Sequence, residues 1–161
     1  MRRLTALVLV LLAVPAIAIA KTSHAGWPAI DKADLQQNRD DVDNATLTGH
    51  PGKHNELLGG ANNDTLVAAE LGDVLWGDYK PDNNGTAQVD TFKGGPGKDF
   101  IYASHGKNII TTGGGLDQVH AHYGRGSITC SNPKATVFLS HKSRKSYKLH
   151  NCPHISYATS G

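Results

Sequence analysis

The sequence predicts an all-β protein wound as a right-handed parallel β-roll, a β-solenoid of about four coils with a C-terminal β-hairpin cap. Three observations carry this. Glycine and aspartate recur in blocks of nine residues, one apolar side chain recurs at the eighth position of each block, and large apolar residues are too few for a conventional core: three Phe, two Trp and one Met, the initiator, among 161 residues.

The register is clearest at residues 94–102, Gly-Gly-Pro-Gly-Lys-Asp-Phe-Ile-Tyr, which follow the pattern G-G-x-G-x-D-x-U-x with U aliphatic. The next block, 103–111, keeps Gly106, Asn108 and Ile110, and 112–120 keeps Gly113, Gly115, Asp117 and Val119. Block 121–129 retains Gly124 and Ile128 but has Gly126 where the aspartate belongs. Upstream, 59–67 carries Gly59, Gly60, Asp64 and Leu66, 68–76 carries Asp73 and Leu75, and 50–58 is a weaker copy with Asn55 and Leu57. One interruption, 77–89, holds Pro81, Asn83, Asn84 and Gly85 and reads as a surface loop before Asp90 and Phe92 resume the phase.

Position 8 should point inward in every strand, and down the repeats it reads Leu57, Leu66, Leu75, Phe92, Ile101, Ile110, Val119 and Ile128. All are apolar. Such a ladder is a core one residue wide, which is why so few bulky side chains suffice.

These nines resemble the RTX, or hemolysin-type, calcium-binding repeats of exported bacterial proteins. The resemblance implies that each G-G-x-G-x-D segment is a calcium-binding turn, that each x-U-x is a short strand, and that consecutive strands alternate between two parallel sheets. Ions would then lie between turns two repeats apart. One edge stacks Asn55, Asp73, Asp99 and Asp117; the other stacks Asp64, Asp90, Asn108 and Gly126. The expected ligands are Asp73, Asp99, Asp117, Asp64, Asp90 and Asn108, with backbone oxygens from turns containing Gly95, Gly97, Gly113 and Gly115. Stacked carboxylates about 5 Å apart repel without a counter-ion, so the array itself argues for a cation, and the resemblance implies that it is Ca2+. Glycine is expected there because turn residues adopt conformations that a Cβ disfavours.

The remaining regions read as follows. Residues 1–20, with Arg2, Arg3 and an apolar run ending in Ala18 and Ala20, form a secretory signal peptide, so the protein is expected outside the cell. Two of the 16 Lys and Arg residues fall there, leaving 14 basic against 14 acidic residues. Residues 21–49 are expected as an N-terminal cap, 50–129 as the roll with its 77–89 insertion, and 130–161 as a C-terminal cap. In that cap, 135–140 and 146–149 read as a hairpin around the basic turn 141–145, closed by a Cys130–Cys152 disulfide.

On one outer face the scarce aromatics cluster, with Trp76, Phe100, Tyr102 and His120 forming either a surface-binding platform for glycan or a patch covered by a terminal segment. His105, His120 and His122 lack a diagnostic transition-metal spacing. Asn44, Asn63 and Asn84 begin N-x-T triplets. No nucleophile elbow, H-E-x-x-H or separable carboxylate pair is present, so the reading is a non-enzymatic calcium-binding monomer. Its partners are calcium and, in the alternative reading, a cell-surface polysaccharide; neither nucleic acid nor a membrane span is expected.

Overall fold

The computed structural model describes residues 34–39, 42–78 and 85–158. The expected signal peptide and residues 79–84 of the insertion, Asn84 among them, lie outside these. The strands are β1 (Leu35–Gln37), β2 (Ala45–Thr48), β3 (Glu56–Leu58), β4 (Asp64–Val67), β5 (Val74–Trp76), β6 (Val89–Lys93), β7 (Phe100–Tyr102), β8 (Lys107–Thr111), β9 (Gln118–Ala121), β10 (Arg125–Thr129), β11 (Thr136–Leu139), β12 (Tyr147–His150) and β13 (His154–Ser156).

Odd-numbered strands form a seven-stranded sheet and even-numbered strands a six-stranded one, each in chain order, so every strand crosses to the opposite sheet before the next begins. Neighbours in a sheet are therefore two repeats apart, and every pairing is parallel. The result is a parallel β-solenoid of about six turns. The core is the expected ladder. Leu57, Leu75, Ile101 and Val119 stand in register in one sheet, facing Leu66, Phe92, Ile110 and Ile128 in the other. All eight are at most 1% exposed.

The winding is longer than the expected four coils. Strands β1 and β2, inside the segment expected as an N-terminal cap, pair with β3 and β4 and continue the roll. The C-terminal hairpin is a correction: β11 pairs with β9, whereas β12 pairs with β10 in the other sheet, so the two strands never meet as antiparallel partners. The cause is the same ladder. Val137 comes one repeat length after Ile128 and takes the next place beside Val119, and Leu149 takes the place beside Ile128. Between them Ser143–Lys145 forms a single 3-10 turn that carries the chain across. Cys130 and Cys152 are disulfide-bonded, and they follow neighbouring strands β10 and β12, so the bond ties one coil to the next.

Candidate metal-binding turns and the outer faces

The turns entering β5, β7 and β9 build the first edge. Each contributes one buried aspartate, Asp73, Asp99 or Asp117, none with any exposed surface. Their placement follows from register: a side chain immediately before a strand lies at the corner of the coil, and the next corner on that edge is directly below it. Oδ1 of each accepts the backbone N–H of the position-6 residue two repeats earlier, from Asn55 to Asp73 at 2.6 Å, Asp73 to Asp99 at 2.8 Å and Asp99 to Asp117 at 2.9 Å. Oδ2 of Asp73 and Asp99 accepts from its own turn, at the N–H of Ala69 and Gly95 respectively, 2.5 and 2.6 Å away. Asp73 and Asp99 thus tie their own turns together, and all three carboxylates tie a turn to its neighbour.

Amide donors do not offset the burial. Desolvation pushes the Asp99 carboxyl up to about 7, with repulsion from Asp117 and Asp73 adding to it and the N–H groups of Asp73 and Gly95 opposing it. Burial likewise raises Asp117, against hydrogen-bonding contributions from the Asp99 and Gly113 backbone and the Thr112 side chain. Even so, no hydrogen bond of good geometry reaches Asp117 Oδ2, a fully buried oxygen. Ion pairs among the described residues involve Asp34 and Asp78, not Asp73, Asp99 or Asp117.

The expected reason for glycine holds at Gly60, Gly72 and Gly124, which have positive φ, but four other turn glycines serve a different purpose. None of Gly95, Gly97, Gly113 and Gly115 has positive φ. What they supply is room. A Cβ on Gly113 would lie 1.4 Å from the Gly95 carbonyl oxygen, and one on Gly115 would lie 1.8 Å from that of Gly97. Successive turns therefore stack backbone on backbone, each carbonyl directed at the Cα below, and the Gly114 N–H donates to Gly95 O at 2.9 Å.

This donor set fits calcium. It comprises hard oxygens only, buried carboxylates without a cationic partner and a carbonyl-lined cradle that a Cβ would fill. Among the described residues no three acidic, cysteine or histidine side chains converge on one point. An ion here would take one or two carboxylates, from Asp73 with Asp99 or Asp99 with Asp117, and the balance from turn carbonyls.

The second edge begins alike and then changes. The Asp64 N–H donates to Asp90 Oδ1 at 2.9 Å, and burial, with repulsion from Asp78, pushes Asp90 up to about 6 against hydrogen bonds from Ser104, the Asp64 backbone and Gln88. Asn108, an expected ligand, is saturated. Its Oδ1 accepts from the Ser104 amide and hydroxyl, and its Nδ2 donates to Ser104 O, Gly106 O and Tyr147 Oη. Gly126 pairs with Tyr147 in register and offers no side chain, and the Tyr147 phenol reaches across to Asn108 and donates to Tyr123 O at 3.0 Å. A buried phenol closes this edge at the level where the aspartates run out.

Two acids escaped the sequence reading. Asp34 precedes β1 at the level of Asn55 and so heads the first column, with His50 Nδ1 and Lys53 Nζ 3.6 and 3.7 Å away. Asp78, in the inserted segment, holds His105 through both its backbone N–H and Nδ1, at 2.7 and 2.9 Å. The nine-residue phase was the available signal, and irregular spacing hides both.

The aromatic face is a stack. Trp76, Tyr102, His120 and Phe138 follow one another on β5, β7, β9 and β11, with centroids 4.2, 4.4 and 4.6 Å apart. Both ring faces of Tyr102 and His120 are engaged by neighbours. Phe100 is 3% exposed and has the Lys98 ammonium 4.8 Å above its ring. His105 instead stacks on Tyr123, apart from His120, so the three histidines form no common metal group.

Residues 84–119 match the sequence model of the RTX calcium-binding nonapeptide repeat (4 copies). No curated protein and no solved structure matches the chain. The matched span contains Asp90, Asp99, Asn108 and Asp117, and strands continue on both sides of it. Residues 84–119 are therefore similar to RTX calcium-binding nonapeptide repeats, and they lie within a longer parallel β-solenoid.

Proposed function

We propose that this is a secreted, non-catalytic β-roll whose fold is stabilised by calcium held between stacked turns, chiefly at Asp73 with Asp99 and at Asp99 with Asp117. Asp64 with Asp90 forms a further site on the other edge. The observation that carries the reading is the set of three stacked buried carboxylates, Asp73, Asp99 and Asp117, none of them ion-paired among the described residues. The head of that column makes the contrast: Asp34 has a lysine and a histidine at hand, the other three have neither. Export is supported by the leader-like first twenty residues and the disulfide. The adhesive alternative has less support, because a sugar stacks on an open ring face and the inner rings of this ladder have none.

Metal sites absent from the unfolded chain couple binding to folding. Calcium-stripped protein is expected to lose β signal in far-UV circular dichroism, to regain it with micromolar to millimolar calcium, and to lose it again with chelator. A spectrum indifferent to both additions would overturn the proposal.

The raised carboxyls predict a pH signature of opposite sign in the two forms. Asp99 and Asp90 stand at about 7 and about 6 in the ion-free fold against an ordinary 3.8, so between these limits the folded state binds more protons than the unfolded. Stability of the calcium-free protein should then be fullest below about pH 4 and fall as pH rises toward 7. Saturating calcium needs the carboxylates ionised, and the slope should reverse. Thermal midpoints across this range, with and without calcium, read both signs. Parallel slopes would refute the assignment.

A further inference from the structure

On the second edge, beyond the point where the aspartate column ends, the turns border a half-open cavity of about 300 Å3 lined by His105, His122, Tyr123, Arg125, Lys142 and Ser146 among others. We propose that this cavity is a binding site for an oxyanion, of the sulfate or phosphate ester class, carried on a small ligand.

The polarity of the edge reverses along its length. Position 6 reads Asp64, Asp90, Asn108, Gly126 and Tyr147, so negative charge ends at Asp90 and Arg125 and Lys142 stand at the cavity. Arg125 is held in place from one side, Nη1 donating to Thr86 O at 3.0 Å, which leaves the rest of its guanidinium fork available. His105 is fixed through Nδ1 by Asp78, so its ring presents Nε2 as the remaining polar atom. His122 Nε2 is buried and has no hydrogen-bond partner. The nearest carboxylate is engaged: Asp78 accepts from Gln88 Nε2 through one oxygen and from His105 through the other.

Around this hollow stand two permanent cations and the Ser146 hydroxyl, with no carboxylate among its described lining residues to neutralise them. An anionic ester group supplies both the opposite charge and the acceptor oxygens. The cavity exceeds a bare anion, and Tyr123, 63% exposed and stacked on His105, gives the carrier of the ester an apolar wall. Calcium belongs to the other stretch of the same fold, where the donors are oxygens, and this pocket would repel it.

The test uses calcium-loaded protein titrated with sodium sulfate at constant ionic strength, sodium chloride serving as the matched control, with imidazole and backbone shifts followed by NMR. The expected result is saturable perturbation of His105, His122 and Arg125, absent with chloride. Arg125→Gln and Lys142→Gln should each weaken sulfate binding severalfold and the double variant should abolish it, while the calcium-dependent circular dichroism stays as in the parent. Both side chains are exposed, so folding should survive. Equal perturbation by chloride, unchanged sulfate affinity in the double variant, or shifts confined to Arg144 and Lys145 would each overturn the proposal.

Discussion

Asp99→Asn is expected to weaken calcium binding more than any other single aspartate substitution on the roll, by about tenfold or more, or ~1.4 kcal/mol per tenfold at each affected site. Asp99 stands between Asp73 and Asp117 and is the carboxylate common to both sites on the first edge, whereas Asp73→Asn and Asp117→Asn each remove one member of one site. The calcium-free protein should respond differently. There the Asp99 carboxyl is held up at about 7 by burial and by its two acidic neighbours, so replacing it with a neutral amide removes an unfavourable charge near neutral pH. Against this, one of the two N–H groups it accepts, from Asp73 and Gly95, would face an amide NH2. The net effect in the ion-free form is expected to be small. Calcium titration calorimetry together with thermal midpoints in both forms separates the two contributions. Equal calcium affinity would dismiss the stacking scheme, and an equal midpoint loss with and without calcium would reduce Asp99 to a turn staple.

What the sequence made legible follows from periodicity. Wherever the nine-residue phase is unbroken, from Gly94 to His120, the strand, its sheet, its inward side chain and its stacking partner two repeats away all agree with the structure. The reading failed where it used glycine and aspartate rather than the ladder to define a coil. Val137 keeps the phase of Ile128 and is fully buried, yet the turn before it has Pro133 and Lys134 in place of the glycine pattern, and a basic segment between two strands resembles a hairpin. The apolar ladder is what the fold requires, since removing it leaves no core, whereas the turn composition decides only whether an ion can sit there. The structure therefore separates two features that the repeat joins: winding, which runs from β1 to β13, and the corner with a buried aspartate, the proposed ion site, which among the described residues occupies the middle coils of the first edge and the early coils of the second.

The glycines were legible as a pattern, and the conformational reason expected for them holds at Gly60, Gly72 and Gly124 but not at Gly113, which leads to the sharpest expected contrast in the molecule. Gly113→Ala and Gly114→Ala alter adjacent residues of one turn by the same methyl group. At Gly113 the new Cβ would meet the Gly95 carbonyl oxygen at 1.4 Å, its carbon at 2.3 Å and its nitrogen at 2.8 Å, all backbone atoms of the stacked turn. No rotamer relieves this, so the turns must part. Parting them strains the Gly114 N–H to Gly95 O bond and the Asp99 N–H to Asp117 Oδ1 bond, both 2.9 Å, and displaces the carbonyls offered to calcium. Overpacking together with weakened buried hydrogen bonds should cost roughly 3 kcal/mol or more and lower calcium affinity with it. At Gly114 the Cβ has only Pro96 Cα within 4 Å, at 3.8 Å, an ordinary contact, and the residue is outside the positive-φ set. That variant should fall within about 0.5 kcal/mol of the parent. Denaturant midpoints at saturating calcium measure both. If the two alanines prove equally harmful, the turns need glycine for its conformational freedom; if only Gly113→Ala is harmful, close approach of stacked backbone is the reason that this position of the repeat is glycine.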